Sequence, residues 1–198
     1  MVRSDNLYAL PQDLPIPLDD GACNHLLGLH LPSISLLSTA RRRVDMAALS
    51  GRTVVYAYPR TGRPDQEPPH GWNEIPGARG CTPQSCAFRE RHQSLQQLGA
   101  QVYGLSTQDT DYQREAVERL HLPFELLSDA ELALTRALRL PTFEVEGMTL
   151  LKRLTLIIEA GRVVKVFYPV FPPDQNAANV LDWLARHPGA GVRMAPSS

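Results

Sequence analysis

Thr53-Val54-Val55-Tyr56-Ala57-Tyr58, closed by Pro59, is the stretch on which the fold turns. Its β-branched and aromatic residues make an extended chain that is apolar at odd and even positions alike. Both faces of such a strand must be covered, which places it in the middle of a sheet rather than at an edge. Pro59 cannot donate to a strand ladder and ends it.

Outward from that strand the pattern alternates. Residues 60–80 are rich in Pro and Gly and read as a long loop, the kind that in a compact domain serves a function or is disordered. Thr82 to Leu98 is helical, with Phe88, Leu95 and Leu98 on one side and Gly99 as the stop. Gln101–Leu105 is a strand and Thr110–Leu120 an amphipathic helix with Tyr112, Ala116 and Leu120 spaced by four. Phe124–Leu127 is a short strand, followed by a helix over Glu131–Leu138. Leu151–Glu159 and Arg162–Tyr168 are strands joined by Ala160-Gly161 as a hairpin. Ala177–Arg186 is the last helix. On the N-terminal side, Leu31–Leu37 reads as a strand, Arg43–Leu49 as a helical turn and Asn24–Leu29 as a short helix. The order βα-βα-βα-ββα predicts an α/β fold with a central mixed sheet flanked by helices. Residues 1–30 read as an N-terminal extension, 31–187 as the domain and 188–198 as a flexible tail.

The bulk numbers bound the function. A chain of 198 residues, 43% hydrophobic and 21% charged, suits one well-buried domain. A formal net charge of −1 gives no basic field for phosphate contacts, so nucleic acid is not an expected partner. The one basic run, Arg41–Arg43, reads as a solvated edge or turn. No apolar run approaches a membrane span. The segment carrying Asp5, Asp13, Asp19 and Asp20 lacks the charge and apolar regions of a secretory signal, and the cytoplasm is the expected compartment. Three cysteines, Cys23, Cys81 and Cys86, are too few for a disulfide scaffold. In a reducing compartment a close pair is reactive or metal-binding rather than structural.

Chemistry concentrates in Gly80-Cys81-Thr82-Pro83-Gln84-Ser85-Cys86-Ala87-Phe88-Arg89-Glu90. Cys81 stands where a Gly-rich loop enters a helix. The first turn has unpartnered N–H groups and the positive end of the helix dipole, both favourable to a thiolate. Pro83 suits a first turn. Cys86 lies five residues on. In an ideal helix that spacing separates the Cα atoms by about 8.5 Å, beyond the ~7 Å limit for a disulfide. The two sulfurs could bond only if the first turn unwound. On the residues alone two other readings stay open. The pair could bind zinc with scattered His70, His92 or His121, although zinc sites usually use tighter spacing and a second ligand pair. One or both cysteines could be buried core residues.

The motif resembles the bacterioferritin-comigratory, or PrxQ, branch of the peroxiredoxins, in which Cys-Thr, a second cysteine five positions on, and Phe-Arg recur. Val102–Ser106, Ser128-Asp129 and Lys152-Arg153-Leu154-Thr155-Leu156-Ile157-Ile158 resemble later family segments, so the likeness runs over roughly residues 31–186. The resemblance implies a thioredoxin-like fold and reduction of hydrogen peroxide or organic hydroperoxides. Cys81 would become a sulfenic acid, Cys86 would condense with it to a disulfide, and thioredoxin or a similar dithiol, or a small thiol, would restore the pair. Arg153 would stabilise the negative charge. No metal or cofactor is implied, and the assembly is expected to be a monomer or homodimer.

Two departures from the branch stand out. Ala78 and Glu74 occupy the positions three and seven before Cys81, where the family has a hydroxyl residue and Pro. Pro59 and Thr61 are therefore the expected substrate-binding pair, brought back to the site if the inserted residues loop out. Gln84 stands where the branch commonly has Glu. Cys23 reads as a bystander thiol. The competing readings are a thiol–disulfide oxidoreductase of the same fold, weakened by the lack of Cys-x-x-Cys, and a non-catalytic redox sensor.

Overall fold

The structure, a computed structural model, describes residues 6–189. Most of the expected flexible tail, 190–198, lies outside the described residues. The fold is built on β3 (Arg52–Ala57), buried at every position as its composition requires. It pairs in parallel with β4 (Ala100–Ser106) and antiparallel with β8 (Leu154–Glu159). With β1 (Ser35–Ser38), β2 (Arg43–Asp45), β5 (Glu125–Ser128) and β9 (Arg162–Phe167), they form a mixed sheet in the order β2-β1-β5-β4-β3-β8-β9.

The alternation along β3 sorts its side chains into two cores. Val54, Tyr56 and Tyr58 face the cluster formed by α1 (Cys81–Gln97), α2 (Thr110–Leu120) and α4 (Asn176–Arg186). Val55 and Ala57 face the other cluster, which takes in Leu134 and Leu138 of α3 (Ala133–Leu138). Tyr56 and Phe88, both fully buried, stack at 4.4 Å and fasten α1 to the sheet. Each such ring contributes roughly 1.5–3 kcal/mol through burial, with about 0.5–1.5 kcal/mol more for the pair.

Three local expectations are corrected. Asn24–Leu29 forms consecutive turns, not a helix. Arg43–Leu49 is a strand followed by a single 3-10 turn, Met46–Ala48, because Arg41 takes a left-handed φ of 61° and sends Arg43–Asp45 back along β1. The Leu151–Glu159 strand is two strands with a break. β6 (Thr142–Val145) and β7 (Met148–Leu151) form a separate hairpin turned by Glu146-Gly147, both at positive φ. Lys152 and Arg153 lie in the break before β8.

Residues 6–30, read as an extension, are packed into the molecule. Cys23, Leu26 and Leu31 belong to the second core, and Leu26 has no exposed surface. Backbone bonds from Gly28 N–H to Val163 C=O and from Val163 N–H to Leu29 C=O bind the segment to β9. Lys152 Nζ to Asp20 Oδ2, 2.7 Å, adds a surface tie.

Candidate active site

α1 starts at Cys81, and the geometry there begins with Gly80. Gly80 has a φ of 103°, and a Cβ on it would lie 2.4 Å from Pro173 Cγ and 2.7 Å from Leu10 Cδ2. Only glycine fits a left-handed turn pressed between two side chains. That turn delivers Cys81 onto the helix N-terminus, with only 3% of the residue exposed.

Arg153, in the break between β7 and β8, reaches the same point. Its Nη2 donates to Cys81 Sγ at 3.2 Å, to Ala78 C=O at 3.1 Å and to Arg79 C=O at 3.2 Å. Its Nη1 donates to Gln84 Oε1. Gln84 Nε2 in turn donates to Asn176 Oδ1 at 2.9 Å, and Thr155 Oγ1 donates to the same oxygen at 2.7 Å. All four side chains are buried. A buried guanidinium costs free energy unless its donors are matched, and this network fixes the fork as well as matching most of them. Gln84, where the branch commonly has Glu, can both accept from Arg153 and donate to Asn176. A carboxylate could only accept. The Arg153 charge therefore faces the sulfur with no carboxylate in this network to neutralise it.

Cys86 is half-buried on the same unbroken helix, and all three cysteines are free thiols. Desolvation pushes the Cys86 thiol above its ordinary range. Cys23, in the second core, is pushed by burial and by Asp20 and Asp19 to about 12. Burial likewise keeps the phenols of Tyr56 and Tyr58 protonated. Tyr56 shares a 3.1 Å hydrogen bond with Ser85 on the first turns of α1.

A small cavity of about 20 Å³ opens over Cys81 and Thr82. The loop 60–80 makes much of its wall with Arg60, Gly62, Arg63 and Trp72, and Tyr112 of α2 and Leu7 complete it. The loop is held by its own small core, in which Trp72 and Ala78 pack on Val145 and Leu150 of the β6–β7 hairpin. Arg60 Nη1 on Met148 Sδ and His70 N–H on Glu146 Oε1 reinforce that anchor.

The structure brings Cys81, Arg153 and Gln84 together and sets Cys86 below them on the helix. Pro59 and Thr61 are buried but do not line the cavity; Arg60 and Gly62 beside them do. The Thr61 hydroxyl and N–H both donate to Gln108 Oε1, at 3.1 and 3.0 Å. Gln108, just beyond β4, captures both donors. The hydroxyl residues that do line the cavity are Thr82, beside Cys81, and Tyr112. Asn176 and Leu7 carried no signal in the sequence, since neither falls in a motif and both arrive from remote segments. Among the described residues no three His, Cys, Asp or Glu side chains gather as a metal site, and no helix is long and apolar enough to cross a membrane.

Comparison with known proteins bears on this geometry. The family model described as Redoxin matches residues 27–181. The chain is 31% identical over 156 residues to a putative chloroplastic peroxiredoxin Q of Oryza sativa subsp. indica, covering 78% of this chain and 64% of that protein. It is 28% identical over 156 residues to peroxiredoxin Bcp of Bacillus subtilis, covering 76% of this chain and 90% of the relative. The chain thus spans less than two thirds of the rice relative's length. The solved structure of peroxidoxin BcpB from Mycobacterium tuberculosis superposes with a TM-score of 0.67 at 22% identity, over 81% of this chain and 97% of that one. Peroxiredoxin Q of Xanthomonas campestris gives 0.66 at 23% identity, over 81% and 98%. The shared architecture is the thioredoxin-like one, a mixed sheet flanked by helices.

Proposed function

Since the chain belongs to the Redoxin family and resembles its peroxiredoxin Q and Bcp branch, we propose that it is a thiol peroxidase with Cys81 as the nucleophile. The observation that carries this reading is the 3.2 Å contact of Arg153 Nη2 with Cys81 Sγ at the start of α1. A guanidinium and a helix N-terminus meet at one sulfur, and both favour negative charge there.

The chemistry follows from that placement. The Cys81 sulfur, as thiolate, attacks the terminal oxygen of a hydroperoxide. The S–O bond forms as the O–O bond breaks, giving Cys81 sulfenic acid and an alkoxide or hydroxide that takes up a proton. Arg153 stabilises the charge as it moves from sulfur to the leaving oxygen. Thr82 offers a hydroxyl at the cavity. Pro59 and Thr61 support the wall that Arg60 and Gly62 present.

Cys86 then attacks the sulfenic sulfur, forming the Cys81–Cys86 disulfide and releasing water. Because α1 is intact through both residues, this step requires its first turn to open. A thioredoxin-like protein or a small thiol reduces the disulfide by exchange. A reducing compartment such as the cytoplasm supplies that reductant, and a monomer or homodimer is sufficient for the cycle. The near-complete burial of Cys81 favours a peroxidase over a thiol–disulfide oxidoreductase, whose sulfur must meet another protein's disulfide.

The test is peroxide consumption with thioredoxin or dithiothreitol. Cys81→Ser should abolish turnover. Cys86→Ser should consume one equivalent and stop at the sulfenic acid unless a small thiol is present. Full turnover by Cys81→Ser would end the proposal.

A further inference from the structure

The cavity over Cys81 is walled in part by a segment far away in sequence. Asn6 C=O accepts from Arg79 Nη2 at 2.6 Å, two residues before the nucleophile. Leu10 rests against Gly80, at the start of α1. Between them Leu7 is buried and lines the cavity, as does Trp72 of the 60–80 loop. Residues 6–10 thus form a strap along the cavity, held at Arg79 and Gly80, and the indole forms another part of its wall.

The narrow space over the sulfur decides what fits. A water needs roughly 10–15 Å³ of such volume. About 20 Å³ therefore admits one or two oxygen-sized centres and no aromatic or long aliphatic substituent. The wall mixes apolar groups with Arg60, Arg63 and Thr82, which offer hydrogen bonds to a small peroxide.

We propose that the strap, through Leu7, and Trp72 are specificity elements that hold this site to hydrogen peroxide and exclude hydroperoxides with bulky organic groups. This rests on the peroxidase reading and narrows its substrate class. In the strapped state a cumyl group would have to displace the Leu7 side chain or the indole before its terminal oxygen could reach the sulfur. Leu7 touches no reacting atom in this scheme; it acts by occupying space.

The experiment compares the full chain with Leu7→Ala and with a variant lacking residues 2–10, using hydrogen peroxide and cumene hydroperoxide. The ratio of kcat/KM for cumene hydroperoxide over that for hydrogen peroxide should be well below one in the full chain. It should rise about tenfold or more in both variants, the size expected for steric exclusion worth about 1.4 kcal/mol. An unchanged ratio in both, or a full chain that uses the two peroxides equally, would overturn the proposal.

A second measurement separates its failure from that of the peroxidase reading. In a Cys23→Ser/Cys86→Ser background, Cys81 is alkylated with iodoacetamide and with the larger N-phenylmaleimide. Opening the strap should raise the maleimide rate relative to iodoacetamide. If that ratio shifts while no variant consumes peroxide, steric gating stands and the peroxidase reading fails. If the alkylation ratio does not move, gating fails whatever the turnover.

Discussion

Replacing Arg153 by Met removes one positive charge and four hydrogen bonds from a single point: those to Cys81 Sγ, Gln84 Oε1 and the carbonyls of Ala78 and Arg79. The contact with sulfur is charge-assisted, and its loss is felt most where charge moves onto the leaving oxygen. A hydrogen bond of that kind contributes about 1.5–3 kcal/mol, or about 10- to 150-fold in rate. The other three bonds hold the turn that positions Cys81, so their loss adds to the deficit. Stability is a separate quantity: removing a buried charge relieves desolvation while two buried carbonyls lose the guanidinium donor, Ala78 keeping only the weak one from Cys81 Sγ, and these effects oppose each other. The assay is therefore single-turnover oxidation of Cys81 by hydrogen peroxide without reductant, in a stopped-flow instrument, on protein whose near-UV circular dichroism matches the parent. Arg153→Lys, which keeps the charge but cannot form the fork, should fall between the parent and Arg153→Met. A native-like Arg153→Met within about threefold of the parent rate would refute the role given to the guanidinium, since a lost transition-state contact must lower that rate.

Other predictions concern the turn, the hydroxyls and the second cysteine. Gly80→Ala places a methyl against Pro173 and Leu10 in a left-handed turn, and should cost at least about 2 kcal/mol, or about 4–8 °C of Tm; a calorimetric Tm unchanged within error would contradict the packing described. Thr82→Val should lower kcat/KM for peroxide about 2- to 10-fold, the range of one hydrogen bond, and more than Thr61→Val, whose main effect should be on stability through Gln108. The reverse order of the two would return the peroxide contact to Thr61. Because burial raises the Cys86 thiol above its ordinary range, and only its thiolate attacks, disulfide formation should accelerate steadily as pH rises from about 6 to about 9. Quenched-flow mass analysis showing a pH-independent step would break that link.

Much of this was legible before any coordinates. The helix over Thr110–Leu120 shows in its spacing of apolar residues, and it is found at those limits. The strand at Thr53–Tyr58 announces its central place because it is apolar on both faces. What stayed hidden falls into two kinds. The β6–β7 hairpin turns on Glu146-Gly147, where a charged residue adopts a left-handed φ of 48°; composition disfavours that choice, and tertiary packing under Trp72 enforces it. The network behind Cys81 was half visible. Gln84 sits three residues from the nucleophile and departs from the Glu common in the branch, but Asn176 lies 92 residues from Gln84, and no local pattern marks it as a partner. Thr61 is expected at the peroxide because it closely follows Pro59, and the structure shows its hydroxyl bonded to Gln108, a partner 47 residues away that no local pattern marks. Leu7 had no signal at all, since one leucine among prolines carries no period.

The lodging of residues 23–31 against β9 also constrains the timing of synthesis. Gly28 bonds to Val163, a partner made about 135 residues later. At roughly 5–20 residues per second this is on the order of 7–27 s of translation. Through that interval Leu26, fully buried at the end, lacks the part of its cover that Val163 and its neighbours in the same core supply. A segment made early in this domain is thus fully seated only when β9 arrives. During each round of synthesis the nascent chain carries an incompletely covered apolar stretch that a chaperone can hold or a neighbouring nascent chain can capture.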